Sequence, residues 1–578
     1  MSRLLLFSMA SVQEYIMESK KVIDLTNSSY IVSIIMNEVK KAVIEELNGN
    51  VILPNSEVSE KVKTSNQLLI TYESKDSMAE KLEKRAKAKF RYIIKQLNDL
   101  KNLKDKEINA VIEDIIKIYW AEVEFEDEYE KAYKKVHKIL EAVKHTRVFK
   151  NEQDENLIKG PKCSICGKRN VRYILSKKNI NGIESNKLKE KDYLCLACYI
   201  KRTLKEDKNE KQNSTAKIAL GRWIKENIEN NKCIYEKLEK KAEEISKSSK
   251  YGKYQLLYKE NMLKEIKEEE MNEVLNYYEE LTKTQEKYYC IYRFDIDNLG
   301  KWMNGKYKDS KENLKDYQQE LSNKINEFFE KVLKFFDENE NNTLVYAGGD
   351  DLLALLNVKD AFKFSKEIEE EFNKILKKNN NKFKKLTFSQ GIFIIHYKDT
   401  LKESLKVSKE RLEWIKEKFG NSNTEQKKDG LIVAVLTDGY YYKEFYFKNH
   451  MNDEYIIKTL ENIFNYFYED KFSFFHNELA KMFMRLDESD ELEEERIIRD
   501  MLFVQQKRLI GRSNKRERDK TKEDEKALKN LLEDILYQNP NCVGISVLEN
   551  YFNMFYIMEK LYIILREDEK DEGIKNKA

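Results

Sequence analysis

Proline is nearly absent from this chain, with three in 578 residues (Pro54, Pro161 and Pro540), and glycine is sparse at 17. So little of both argues against a turn-rich all-β protein and for a helix-rich fold. No apolar run approaches the roughly 20 residues a membrane span needs, so no membrane partner is expected. The opening Met1-Ser-Arg-Leu-Leu-Leu-Phe-Ser-Met-Ala10 is apolar only briefly before Gln13 and Glu14. It reads as a first strand rather than a leader. An excess of one charge is missing too: Lys+Arg number 106 and Asp+Glu 103, for a net charge of +3. That excludes a global nucleic-acid footprint and leaves only local basic surface. Histidine is scarce, with His137, His145, His396, His450 and His476 scattered and no His-Asp dipeptide. Each reads as a surface or core residue rather than a catalytic one.

What is present suits several domains, with 41% hydrophobic and 36% charged residues. Residues 3–9 read as a buried strand, 11–23 and 29–48 as helices, 51–53 and 67–71 as strands, and a long helix starts near Ser77. A similar order returns later. Residues 288–295 read as a strand, and 310–337 as an amphipathic helix with Leu314, Tyr317, Leu321, Ile325, Phe328, Phe329 and Leu333 at helical spacing. Strands at 343–347 and 352–356 follow, then a helix at 360–378, a strand at 386–396, a helix at 400–418 and a strand at 431–436. This βαββαβ order predicts an α+β protein with two ferredoxin-like palm domains, a diverged internal duplication. The expected division is 1–150 as a first, degenerate palm-like domain and 151–285 as a zinc-knuckle and helical domain. Residues 286–440 form the catalytic palm, and 441–578 a C-terminal helical domain.

The chemistry concentrates in Tyr346-Ala347-Gly348-Gly349-Asp350-Asp351, set between the apolar runs 343–345 and 352–356. Adjacent carboxylates flanked by strand-forming hydrophobics are costly unless a positive charge neutralises them. Gly348 and Gly349 permit a tight turn and close approach of a phosphate. A second acidic motif, Asp295-Ile296-Asp297, ends the preceding palm strand, and its alternation places both carboxylates on one side. In a ferredoxin-like sheet that strand neighbours the Gly-Gly-Asp-Asp hairpin. The combined cluster suits two divalent ions, Mg²⁺ or Mn²⁺, holding a nucleoside triphosphate, with nucleotidyl transfer as the reaction. Asp295, Asp350 and Asp351 are the catalytic candidates. Asp297, Lys301 and Lys428 are candidate nucleotide contacts, together with the two glycines. The alternative is an ordinary Gly-Gly hairpin with two solvated aspartates.

Seven cysteines include two C-x-x-C knuckles, Cys163–Cys166 and Cys195–Cys198, with 28 residues between them. Four thiolates suit tetrahedral structural zinc, and a metal site suits a reducing cytoplasm better than a disulfide framework does. The residues 177–191 read as a projecting insert, and Cys233, Cys290 and Cys542 as isolated core thiols. The densest basic run, 507–520, is interleaved with acidic residues and reads as a solvated face that could meet RNA.

Phe7-Ser-Met-Ala-Ser-Val-Gln-Glu-Tyr-Ile16, Asp24-Leu25, Ser28-Ser-Tyr30 and Asn66-Gln-Leu-Leu69 form an ordered set of motifs. The set continues with the paired cysteines, Asp295-Ile-Asp-Asn-Leu-Gly300, Gly348-Gly-Asp-Asp351 and Ser389-Gln-Gly-Ile-Phe-Ile-Ile-His-Tyr397. It resembles the large palm subunit of type III CRISPR effector complexes, Cmr branch (type III-B), over most of the chain. The resemblance implies an antiviral subunit that converts ATP into a nucleotide messenger, commonly cyclic oligoadenylate, when a guide-RNA complex meets its target RNA. It implies other Cmr-type subunits, guide RNA and target RNA as partners. Some relatives join AMP to S-adenosylmethionine instead. The family's metal aspartates fall on Asp295 and Asp350, with Asp351 alongside. Many relatives begin with a His-Asp nuclease domain; this sequence shows no such dipeptide, so DNA cleavage is not expected of it. A stand-alone diguanylate cyclase or a non-catalytic scaffold are the competing readings.

Overall fold

The computed structural model describes residues 2–467 apart from 11, 55–64, 98–99, 101–102, 147–159, 177–190, 205–212, 282–284, 379–380, 421–427, 438–440 and 452–453, and further residues 504, 550, 553–558 and 560–561. Its first half starts with β1 (Ser2–Ala10), α1 (Val12–Met17), α2 (Val22–Leu47), β2 (Asn50–Leu53) and β3 (Gln67–Glu73). It continues with α3 (Ala79–Gln96), α4 (Asp105–Ile115), β4 (Lys117–Phe125) and α5 (Tyr129–His145). The strand order is β2-β3-β1-β4, with every neighbouring pair antiparallel. The alternation of β1 explains its position at the centre. Leu4 and Leu6 join one core with α5, while Leu5, Phe7 and Met9 join another with α2.

A small cysteine module follows: the hairpin β5 (Tyr173–Ser176) and β6 (Lys191–Leu194), then α6 (Leu196–Thr203). Short helices occupy most of residues 215–280. The second sheet-bearing domain comprises β7 (Tyr288–Ile296), α7 (Leu314–Glu338), β8 (Thr343–Gly348), β9 (Asp351–Asn357) and α8 (Val358–Phe372). It is completed by β10 (Phe388–His396), α9 (Leu401–Gly420), β11 (Gly430–Thr437) and β12 (Tyr441–Lys448). The strand order is β12-β11-β10-β7-β9-β8. Its β8-β9-β7-β10 portion repeats the order of the first sheet, as the duplication reading expects.

This second sheet is buried on both faces. Cys290, Tyr292, Phe294 and Ile296 pack under α7 and α8, while Tyr289 and Ile291 pack on the opposite side against α9 and the short helices. Strands buried on both sides read as continuous apolar runs, as β9 and β10 do.

The helical expectation beyond residue 440 needs a correction. Tyr441–Lys448 is a strand antiparallel to β11. Its Phe445 and Phe447 enter the shared core while Tyr446 faces the other side, an aromatic alternation that fits a pleated sheet. Helix resumes at α10 (Ile456–Phe467) and at 553–558. Cys233 is also corrected, being exposed rather than in the core, while Cys290 is buried as expected. The basic run 507–520, Cys542 and the insert at 177–190 lie outside the described residues. Among the described residues, no helix is long and apolar enough to cross a membrane.

Candidate active site

Asp295 stands next to last on β7 and faces the same side of the strand as Arg293. Asp351 of β9 lies directly opposite it in the register, and Ser389 of β10 flanks it on the other side. Like charges opposed across antiparallel strands repel, so this edge is built at a cost. Gly349 and Asp350 form the two-residue loop between Gly348 and its partner Asp351. Gly349 takes φ +72°, as the first position of a type II′ hairpin requires. The Ile296 amide donates to the Asp350 carbonyl at 2.8 Å, which ties the loop to the end of β7.

The crowding shows in the acidities. Burial, followed by the charges of Asp350 and Asp295, pushes Asp351 up to about 8; Tyr346 and Arg293 pull the other way. Asp350 is pushed up to about 6, first by loss of surrounding solvent and then by Asp295. Its side chain opens to solvent at the loop, so the repulsion from Asp295 is the part of that rise that hydration leaves. Asp295 accepts a hydrogen bond from the Lys416 Nζ of α9. Asp351 accepts one from Gln13 Nε2 of α1 at 3.5 Å.

The other candidates fall elsewhere. Asp297 is 1% exposed and is held by the Thr387 and Ser389 hydroxyls, each at 2.8 Å, and the Asp429 amide at 2.7 Å. It lies past the end of β7, so strand alternation no longer keeps it beside Asp295. It braces β7 to the starts of β10 and β11 instead of opening into the cleft. Burial pushes it up to about 6, against the pull of those hydrogen bonds. Lys301 sits exposed on the short helix after β7. Lys428 lies just before β11, at the same edge of the sheet and two strands away from Asp295.

Sequence reasoning missed Lys416 and the far wall of the cleft. Gln13, Ser29, Ser33, Ser65 and Asn66 from the first domain face Tyr346, Gly348, Asp350 and Asp351 across about 570 Å³ of empty space, open mouth included. The polar residues scattered through the otherwise apolar α2 are a signal that could have pointed there.

The cysteine site forms as expected. All four Sγ atoms lie within 4.8 Å of one another, and Cys166 and Cys195 Sγ are 3.9 Å apart. Thiolates around zinc at ~2.3 Å stand about 3.8 Å apart, so the donor set fits structural zinc. Gly167, at φ +73°, turns the chain out of the first knuckle. Among the described residues, this is the one group whose donor atoms are already gathered for a metal. The three aspartates share an edge without closing to that degree.

The module also grips the first domain. Arg202 forks onto Asp24 of α2 at 2.5 and 2.8 Å and reaches Asp192 at 2.5 Å, with Arg202 and Asp24 both buried. Lys201 donates to the carbonyls of Tyr15 and Glu18, and Asn27 caps the end of α6 through the Lys201 and Leu204 carbonyls. Through these contacts α6 fixes the α1–α2 pair that walls the cleft.

Two family models match the chain. The Cas10/Cmr2 second palm domain matches residues 288–425, and the N-terminal region of the CRISPR-associated protein Cmr2 matches 4–145. Over these two stretches the chain is similar to Cas10/Cmr2 palm-domain proteins. A curated relative, the CRISPR system Cmr subunit Cmr2 of Pyrococcus furiosus, is 27% identical over 350 residues, which are 53% of this chain and 39% of the relative. The fold is similar to that in two solved structures at TM-score 0.59 and 15% identity. One is the type III-B Cmr-beta apo state (97% of this chain, 82% of that one), the other Cmr-beta bound to cognate target RNA (96% and 83%). In this chain the two matched stretches meet at the cleft. The second holds Asp295, Asp350, Asp351 and Lys416, and the first holds Gln13, Ser29 and Asn66. The cysteine module lies between them.

Proposed function

We propose that the second palm is a nucleotidyl-transfer centre that uses ATP to make a nucleotide messenger. The observation that carries this reading is the pairing of Asp295 with Asp351 across β7 and β9, with Asp350 on the adjoining loop. Asp295 and Asp350, with Asp351 beside them, are the residues that would hold Mg²⁺ or Mn²⁺. When bound, such ions activate a ribose 3′-hydroxyl and neutralise the α-phosphate and the leaving pyrophosphate. Gly349 leaves room above the turn for the nucleotide. Gln13, Ser29 and Asn66 offer neutral hydrogen-bonding groups on the facing wall. The raised pKa values of Asp350 and Asp351 fit a site that awaits positive charge. The zinc module acts structurally and keeps that wall in place. The similarity to Cmr subunits supports work within a Cmr-type effector complex with guide RNA, triggered by target RNA, with cyclic oligoadenylate as the product.

The test is incubation of the assembled complex with target RNA, α-labelled ATP and Mg²⁺ or Mn²⁺, with and without S-adenosylmethionine, followed by chromatography. The reading predicts an ATP-derived product that needs target RNA and disappears in Asp350→Ala/Asp351→Ala. A product seen only with S-adenosylmethionine would make that molecule the acceptor of AMP. No product under any condition would reduce the palm to a scaffold.

A further inference from the structure

Three acidic side chains crowd one sheet edge, and two cations, Arg293 and Lys416, lie near them. Arg293 is committed elsewhere. Its Nε donates to Ser408 Oγ at 2.8 Å and its Nη2 to the Leu405 carbonyl at 3.1 Å, and the residue is 6% exposed. It is fixed under the sheet. Lys416 differs: its side chain is 19% exposed, and its ion pair is with Asp295. The neighbouring cations of α9 point away. Lys418 meets the Tyr446 hydroxyl at 2.7 Å, and Arg411 forks onto Glu444 of β12. Among the described residues, Lys416 is the cation paired with these aspartates, rather than Lys301 or Lys428, the cations the sequence suggested.

A lysine on a carboxylate that has to bind a divalent ion competes with that ion. With a divalent ion on Asp295 the Lys416 ammonium would be repelled from that carboxylate, and the phosphate chain of a nucleotide in the cleft would be the anion left for it to meet. The lysine stem is flexible and its three donors rotate, so a swing of a few ångströms suffices. We propose that Lys416 is a phosphate ligand of the palm which, in the nucleotide-free protein, occupies Asp295 in place of the metal. Metal and nucleotide then load together, because the nucleotide takes the ammonium off the metal's ligand. The proposal rests on the nucleotidyl-transfer reading above and adds a residue and an order of events to it.

The test measures Mn²⁺ binding to the full zinc-loaded chain, with and without a non-hydrolysable ATP analogue, in wild type, Lys416→Met, Lys416→Arg and Asp350→Ala/Asp351→Ala. Without nucleotide, Lys416→Met is expected to bind Mn²⁺ about threefold to fivefold more tightly, as loss of a partly exposed ion pair allows. With Mn²⁺ present, the same variant is expected to bind the analogue about tenfold more weakly, as loss of a charge-assisted hydrogen bond implies. Lys416→Arg should keep most of both properties. Tighter Mn²⁺ without weaker nucleotide would overturn the phosphate role, and weaker nucleotide with unchanged Mn²⁺ would overturn the competition. If the double aspartate variant still binds Mn²⁺ like wild type, the metal-site reading itself fails. If it loses binding while Lys416→Met matches wild type throughout, only the lysine proposal fails.

Discussion

The two sheets share a strand order but are held and equipped differently. In the second, the hairpin between the second and third strands is a two-residue Gly-Asp loop, and the third strand begins with Asp351 opposite Asp295. In the first, the corresponding strands β2 and β3 are separated by residues 54–66, and β3 carries Leu68, Leu69 and Ile70 into the cores. The corresponding position on β1 is Phe7 or Ser8, facing Leu68 and Gln67, with no carboxylate. The first sheet therefore avoids the repulsion that the second tolerates. The helices and loop of the first domain contribute the neutral polar wall of Gln13, Ser29 and Asn66. The second sheet gains β11 and β12 as added strands, whereas the first domain is braced by a separate cysteine module. One copy of the fold concentrates charge, and the other presents a surface to it.

The sharpest way to break this asymmetry is to remove the charge. Asp350→Ala/Asp351→Ala should lower messenger synthesis by about a hundredfold or more, on the scale of losing transition-state stabilisation, with little loss of thermal stability because the repulsion is relieved. Equal loss on replacing Ser29 and Asn66 together by Ala would show that the two palms are not divided as described.

The brace on the first domain is next. Arg202→Met strands the buried Asp24 and should cost about 3–5 kcal/mol of stability, as broken buried ion pairs do, measured by denaturant unfolding. If α1 and α2 unfold with the second palm regardless of Arg202, the module does not hold them specifically.

A pH series probes the added strands. His450 stands beside Asp429 at 3.1 Å, and Asp429 in turn donates its amide to Asp297. Burial pulls the imidazole down, but the Asp429 hydrogen bond and Glu369 outweigh it and raise it to about 9. A group whose folded pKa lies above its unfolded value stabilises fully below about 6.5 and loses that contribution as pH rises toward 9. The stability gap between wild type and His450→Gln should therefore be largest near pH 6, up to about 3 kcal/mol, and close by pH 9. A gap that widens with pH would contradict the ion pair.

Gly349→Ala is the mildest change. It forces an L-residue into a positive φ and brings a Cβ within 3.4 Å of Ser65 Oγ. A cost of about 1–2 kcal/mol is expected, visible as a modest fall in melting temperature.

Much of this was legible from residues alone. Short apolar runs placed β7, β9 and β10 within a residue or two, and the two C-x-x-C knuckles found their shared site. Asp297 was misplaced because alternation describes a strand only while the strand lasts, and β7 ends at Ile296. Strand β12 was missed because its charged and aromatic residues also suit an amphipathic helix. Lys416 was invisible for a different reason. It is separated from Asp295 by 121 positions and is one of 106 basic residues, and spacing says nothing about contacts between a helix and a strand so far apart. The cleft's second wall likewise arises only when α1 and α2 dock on the second palm.

The central claim is that the metal centre belongs to the second palm alone, at the Asp295–Asp350–Asp351 edge. Anomalous scattering from crystals of the zinc-loaded chain grown with Mn²⁺ and a non-hydrolysable ATP analogue tests it most directly. The account predicts manganese at that edge, with none on the first sheet. A manganese peak on the first sheet, or none beside Asp295 and Asp350 when nucleotide is bound, would contradict it.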